Sequence, residues 1–174
     1  EFTTGTSGTY SHGIAHNKNR LAVQWQGKGI ITYKIKQTGD LELEYEYTGS
    51  SAPSSFSSTG DVASGTTSMN NLIVLDDGKT ILFGTQNRYL YCFQARPSGQ
   101  LVMTAGKDTQ AAAEQTSMFW KEWNRIVMND WGGSRNIAIQ QDPITKEIYF
   151  GSEYWFGRFK ISPAGVPIND SLQM

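Results

Sequence analysis

Alternation of apolar and polar residues is the clearest pattern in this chain. Leu41–Tyr47 places apolar side chains on one face of an extended segment and glutamates on the other. Residues 29–36 alternate in the same way and are rich in β-branched and aromatic residues. These periods predict half-buried β-strands. The glutamate row is typical of a strand near a sheet edge, because charges there discourage pairing with another chain.

The same order of segments recurs three times. A short apolar strand is followed by a polar turn, a second strand, an aromatic-rich third strand and a glycine turn. Ile-Leu-Phe-Gly-Thr at 81–85 aligns with Ile-Tyr-Phe-Gly-Ser at 148–152, and the turn glycines Gly39, Gly99 and Gly165 lie 60 and 66 residues apart. The pattern predicts one all-β region, residues 1–174, with blade-like repeats at about 11–47, 70–104 and 135–168.

Two insertions separate the repeats. Residues 50–69 are rich in Ser, Gly and Thr, which predicts a long loop. Residues 105–134 contain a run of helix formers after Asp108, which predicts a short helix with Asp108 as its N-cap. An extra strand over residues 118–128 is the alternative.

The repeats resemble the blades of lactonase-like and related seven-bladed β-propellers. The resemblance rests on Asp76-Asp-Gly-Lys-x-Ile-Leu-Phe-Gly, on Asp142-Pro-x-x-Lys-Glu-Ile-Tyr-Phe-Gly and on the later glycine turns. It implies an all-β fold of antiparallel four-stranded blade-like sheets, with a β-sandwich as the alternative. Propellers have about 4 to 8 blades, so we expect other chains, or more of a longer chain, to complete the ring. The start at Glu1 rather than Met indicates a processed chain or a piece of a longer one.

Composition excludes several classes of protein. The 174 residues carry 15 Lys+Arg and 16 Asp+Glu, and this balance argues against a nucleic-acid binder, which needs a basic excess. No apolar run is long enough for a membrane span. Cys92 is the single cysteine, which excludes an intrachain disulfide. The low charge content, 18%, and the 12% aromatic content are typical of extracellular or virion proteins.

Candidate metal-ligating and catalytic groups are few. His12 and His16 share a strand face, but the chain has no third histidine and no cysteine cluster for a zinc set. The propeller resemblance implies a divalent cation held by acidic residues in the central channel. The acidic candidates are Asp76, Asp77, Asp142 and Glu153. The first three occupy turn positions, where Asp commonly accepts hydrogen bonds from the local backbone; Glu153 follows a strand end and stays undecided. We therefore predict no catalytic residue, no metal and no cofactor.

Aromatic residues beside arginines are the candidate contact site. They suit a protein interface or stacking on a carbohydrate; the alternative is that the tryptophans pack against a neighbouring blade. The residues are Trp120, Trp123, Trp131, Trp155 and Phe156, with Arg125 and Arg135.

These observations favour a non-catalytic structural or binding module that assembles through its blades. Phage or viral tail, spike and vertex components and surface adhesins have this kind of composition. Expected partners are other proteins or copies of the chain, with carbohydrate as a further candidate ligand. The alternatives are a fragment of a lactonase-like hydrolase and a lectin-like sugar-binding propeller.

Overall fold

The computed structural model describes residues 11–25, 29–47, 72–84, 89–128, 138–151 and 156–174. They form eleven strands and two helices, which we number in chain order. The strands are β1 (Ser11–Asn17), β2 (Arg20–Trp25), β3 (Gly29–Ile35), β4 (Leu41–Tyr47), β5 (Leu72–Val74), β6 (Thr80–Gly84), β7 (Leu90–Ala95), β8 (Leu101–Ala105), β9 (Ala138–Gln141), β10 (Ile148–Gly151) and β11 (Phe156–Phe159). The helices are α1 (Lys107–Ala113) and α2 (Met118–Met128).

The strands form three antiparallel sheets in which sequence neighbours are paired. The first sheet has the order β1-β2-β3-β4, the second β5-β6-β7-β8 and the third β9-β10-β11. The segment after β11 adds isolated bridges from Arg158 to Gln173 and from Ile161 to Pro167. The prediction of an all-β fold built from blade-like sheets is confirmed, although the third sheet has three strands rather than four.

Each repeat contains the same glycine turn. Gly39, Gly99 and Gly165 have φ values of 88°, 89° and 75°, a region that favours glycine because it has no Cβ. In every case the glycine N–H donates to the carbonyl three residues earlier, at 2.8 or 2.9 Å. The repeat seen in the sequence is therefore a repeat of backbone geometry.

The second sheet lies between the other two and buries both of its faces. One face, with Phe83 and Phe93, packs with Ile30 and Tyr47 of the first sheet. The opposite face, with Leu82, packs with residues of the third sheet and of helix α2. The first strands of the three sheets converge, since β1 contacts β5 and β5 contacts β9.

The second insertion is helical, and not an additional strand over 118–128. Helix α1 begins after Gly106, which is its N-cap, so the prediction that Asp108 caps this helix is wrong. Gly106 has no side chain that could accept the first helical N–H groups, and the Thr109 hydroxyl accepts the N–H of Gly106 itself at 2.7 Å. Helix α2 packs Phe119 and Trp123 into the core. Within the described residues, neither helix has the length and apolar character that crossing a membrane requires.

Candidate functional site

The converging first strands border a central cleft of about 300 Å³. Its walls come from all three sheets. The lining residues are Ala15, His16, Asn17, Ile73, Val74, Asp76, Gln140, Gln141 and Pro143. The cleft is thus lined by both polar and apolar residues, and His16 on its wall is exposed.

The carboxylate in this cleft is already engaged. Asp76 lies 2.5 Å from Lys146 Nζ, and the Asp76 N–H donates to Gln141 Oε1 at 2.7 Å. The hydrogen bond from Lys146 holds the pKa of Asp76 below its usual range. Asp76 is therefore a paired carboxylate, and its contacts with Lys146 and Gln141 link the second sheet to the third.

Two other candidate acids cap turns, as their sequence positions predicted. Asp77 Oδ1 accepts the backbone N–H groups of Lys79 and Thr80 at 2.7 and 2.8 Å. Asp142 Oδ1 accepts those of Ile144 and Thr145 at 2.6 and 2.8 Å. Within the described part of the chain, no three His, Cys, Asp or Glu residues come together as a metal site. Glu153 and the side chain of His12 lie outside the described residues.

A second cleft, of about 420 Å³, is basic. Arg20, Lys79 and Arg96 contribute its charges, and Gln94, Ala95 and two prolines complete the wall. Arg20 forms a bidentate ion pair with Glu44: its Nε and Nη2 donate to Glu44 Oε2 and Oε1, both at 2.7 Å. The same guanidinium also donates to the Gly78 carbonyl of the second sheet. Sequence reasoning missed this cluster because Arg20 and Glu44 are 24 residues apart and show no motif.

Among the described residues, the predicted aromatic contact site is not one surface. Trp120 and Trp123 are buried, and Trp123 contacts Phe150 and Phe159 of the third sheet with ring centroids 5.0 and 5.9 Å apart. This is the alternative that the sequence left open, packing against a neighbouring sheet. Arg125 is exposed and pairs with Glu122 at 2.8 Å.

Among the described aromatic residues of that set, Phe156 is the one whose ring is exposed to solvent. It lies on the face of the third sheet that points away from the second sheet, together with Tyr149 and Arg158. These side chains and Met174 border a depression of about 280 Å³. Trp131, Trp155 and Arg135 lie outside the described residues, as does the insertion at 50–69.

Comparison with solved structures supports the fold. The chain is similar to a protein from Lactobacillus plantarum, whose crystal structure was determined by the Northeast Structural Genomics Consortium, with a TM-score of 0.55 and 13% identity. The match covers 95% of this chain and 41% of that one, so this chain spans about two fifths of the matched structure. At this identity the likeness concerns the fold alone. No protein-family model matches the sequence, and no curated protein matches it.

Proposed function

We propose that this chain is a non-catalytic structural module whose blade-like sheets continue into a larger β-assembly. One observation carries the proposal. Positions that are buried where two sheets pack together are exposed at the equivalent places on the outer faces of the first and third sheets. Leu90 of the second sheet is completely buried, whereas Phe156, its equivalent 66 residues later, is 76% exposed. Met103 of the second sheet is 3% exposed, whereas Leu43, 60 residues earlier, is 55% exposed.

These pairs define two surfaces. Within the described residues, we call Tyr149, Phe156, Arg158 and Met174 the open face of the third sheet. We call the exposed residues Ile14, Leu41 and Leu43 the open face of the first sheet; Val23 and Ile31, on the same side of that sheet, are buried. Large apolar side chains gathered on such faces are typical of surfaces that another protein covers. A further sheet on each face would bury these side chains, as the third sheet buries Leu90 and the first sheet buries Met103.

The composition supports an extracellular or virion setting for this assembly, such as a tail, spike or vertex component or a surface adhesin. The lactonase-like alternative needs acidic groups available in the central cleft. The carboxylate there, Asp76, is instead paired with Lys146, and this observation favours the structural module.

The test measures apolar surface at a dilution where light scattering gives the monomer mass of 19.3 kDa. We expect the monomer to bind the dye ANS, and we expect Leu43→Lys and Phe156→Lys each to reduce the dye fluorescence clearly but in part, because each variant changes one of the two open faces. Ile144→Lys is the matched control, because Ile144 is 86% exposed in the β9–β10 turn and belongs to neither open face. A monomer that binds no dye, or face variants that behave like the control, would contradict the proposal.

An activity assay tests the enzymatic alternative on the same samples. We expect no turnover of sugar lactones. Hydrolysis that Asp76→Asn abolishes would replace the structural module with a hydrolase.

A further inference from the structure

The basic cleft brings together three cations that are distant in sequence. Arg20 reaches it because its guanidinium donates to the Gly78 carbonyl, next to Lys79. The Lys79 carbonyl in turn accepts the N–H of Ala95 at 3.0 Å, next to Arg96. The three charged side chains therefore line one cleft, beside the turns of the second sheet.

The acidic residues around this cleft are engaged elsewhere, and the described lining contains none of them. Glu44 offsets the charge of Arg20 through their bidentate ion pair. Asp77 accepts its hydrogen bonds within its own turn and borders a separate cavity next to the third sheet. Two positive charges are therefore left in the cleft, those of the exposed residues Lys79 and Arg96.

Lysines at the equivalent positions of the other repeats have carboxylate partners. Lys146 precedes the last residue of the first turn in the third repeat, as Lys79 does in the second. Lys36 begins the glycine turn of the first repeat, as Arg96 does in the second. The pairs are Lys146–Asp76, at 2.5 Å, and Lys36–Glu42, at 3.4 Å.

The second repeat lacks such partners. Within the part of the chain that the structure describes, neither Lys79 nor Arg96 forms an ion pair with a carboxylate. The whole chain has a net charge of −1, so these two cations are a local feature and do not reflect a basic protein. Their charges are available to an anion from outside the chain.

We infer that the basic cleft binds a phosphate group between Lys79 and Arg96. A phosphate monoester carries a charge of about −2 at neutral pH, which matches the two unpaired cations. The Arg96 guanidinium can donate two parallel hydrogen bonds to the phosphate oxygens, and the Lys79 ammonium adds a point charge. The cleft, at about 420 Å³, has the size of a small-molecule site and accommodates a sugar-sized carrier of the phosphate.

This inference goes beyond the proposed function and does not depend on it. Arg20, Lys79 and Arg96 belong to neither open face. The dye experiment and a phosphate titration therefore report on different parts of the molecule, and either proposal can fail while the other stands.

Calorimetric titration of the full chain with glucose 6-phosphate tests the inference. We expect a single site whose affinity falls as salt screens the charges. Lys79→Gln and Arg96→Gln should each weaken binding about tenfold, because each removes charged hydrogen bonds to the phosphate. Lys121→Gln is the matched control, because Lys121 is exposed on helix α2 and its replacement changes the net charge equally.

Two further probes identify what the cleft recognises. Glucose lacks the anion and should not bind. Inorganic phosphate that binds as tightly as glucose 6-phosphate would support a site for the free anion, and weaker binding of inorganic phosphate would support a site for a phosphorylated molecule.

Three results would overturn the inference. They are the absence of binding by both phosphate compounds, glucose binding as tightly as glucose 6-phosphate, and Lys79→Gln and Arg96→Gln variants that bind like the Lys121→Gln control. The unfolding temperature of each variant without ligand shows whether its fold is intact. Exposed side chains such as these should leave it unchanged.

Discussion

The side-chain oxygen of Asn169 accepts a hydrogen bond from the backbone N–H of Phe119 at 3.2 Å. It also accepts one from the Ser117 hydroxyl at 2.7 Å. Asn169 is the first residue of an Asn-Asp-Ser sequence near the end of the chain, and it caps helix α2, which begins 51 residues earlier at Met118. The cap fixes helix α2, and with it Trp123, against the third sheet.

Asn169→Ala is expected to lower the free energy of unfolding by about 1 kcal/mol, the usual loss when an N-cap acceptor is removed. Asn169→Asp is the control, because it keeps the acceptor and places negative charge near a helix N-terminus, where it is favourable. Urea unfolding followed by tryptophan fluorescence measures both variants. Equal stability of the alanine variant and the natural protein would show that the cap does not stabilise the helix.

Trp123→Ala is expected to destabilise the fold by about 3–5 kcal/mol, because removing a fully buried tryptophan loses burial and leaves a cavity. Trp123 is completely buried among Phe119, Phe150 and Phe159. Arg125→Ala, on the exposed side of the same helix, should change stability by less than about 0.5 kcal/mol. Calorimetry checks both, and a loss of self-association without a loss of stability in Trp123→Ala would contradict the core assignment.

The turn glycines offer a paired measurement of packing between sheets. Gly39 and Gly99 have φ values of 88° and 89°, so alanine meets the same backbone strain at both, about 1–2 kcal/mol. Alanine at position 99 also collides with Glu44. We therefore expect Gly99→Ala to lower the unfolding temperature of the monomer clearly more than Gly39→Ala does. Equal shifts would mean that Gly99 does not pack closely against Glu44 of the first sheet.

Protonation of Glu44 in acid should weaken the contact between the first and second sheets. Glu44 holds Arg20 in place, and the Arg20 guanidinium donates to the Gly78 carbonyl of the second sheet. Its hydrogen bonds from Arg20 hold the pKa of Glu44 below its usual range. A lowered folded-state pKa means that this stabilisation is complete above the ordinary pKa of glutamate, about 4.3, and is lost as pH falls through the lowered value.

We expect the free energy of unfolding of Glu44→Gln to depend less on pH over that acidic interval than that of the natural protein. Glu42→Gln is the matched control on the same strand, because the Glu42–Lys36 pair, at 3.4 Å, is half exposed and such pairs contribute little. Urea titrations at a series of pH values measure the slopes. Parallel curves for Glu44→Gln and the natural protein would contradict the role of the ion pair.

Short-range signals in the sequence were sufficient for the strands and their turns. The alternation in Leu41–Tyr47 correctly predicted an extended backbone, and Gly39, Gly99 and Gly165 mark positions where φ is positive. The prediction of one apolar face on this strand was wrong, because the bulge at Glu44 leaves Leu41 and Leu43 on the outer face of the sheet and turns Tyr47 into the core. Asp77 and Asp142 were correctly interpreted as turn residues, because each accepts N–H groups two and three residues away. The cap of helix α1 was predicted wrongly, because the N-cap of this helix is Gly106, two residues before Asp108.

The sequence by itself determined the repeating strand-and-turn unit, because alternation and backbone angle depend on residues a few positions apart. Only the tertiary structure decided which faces are covered. Leu90 and Phe156 occupy equivalent positions with similar apolar character, yet one is buried and the other is exposed. The difference comes from whether another sheet lies against that face, and Phe119 and Asn169 likewise meet only when distant segments of the chain pack together. Whether a side chain is buried depends on how the sheets stack, and the neighbouring residues in the sequence do not determine that stacking.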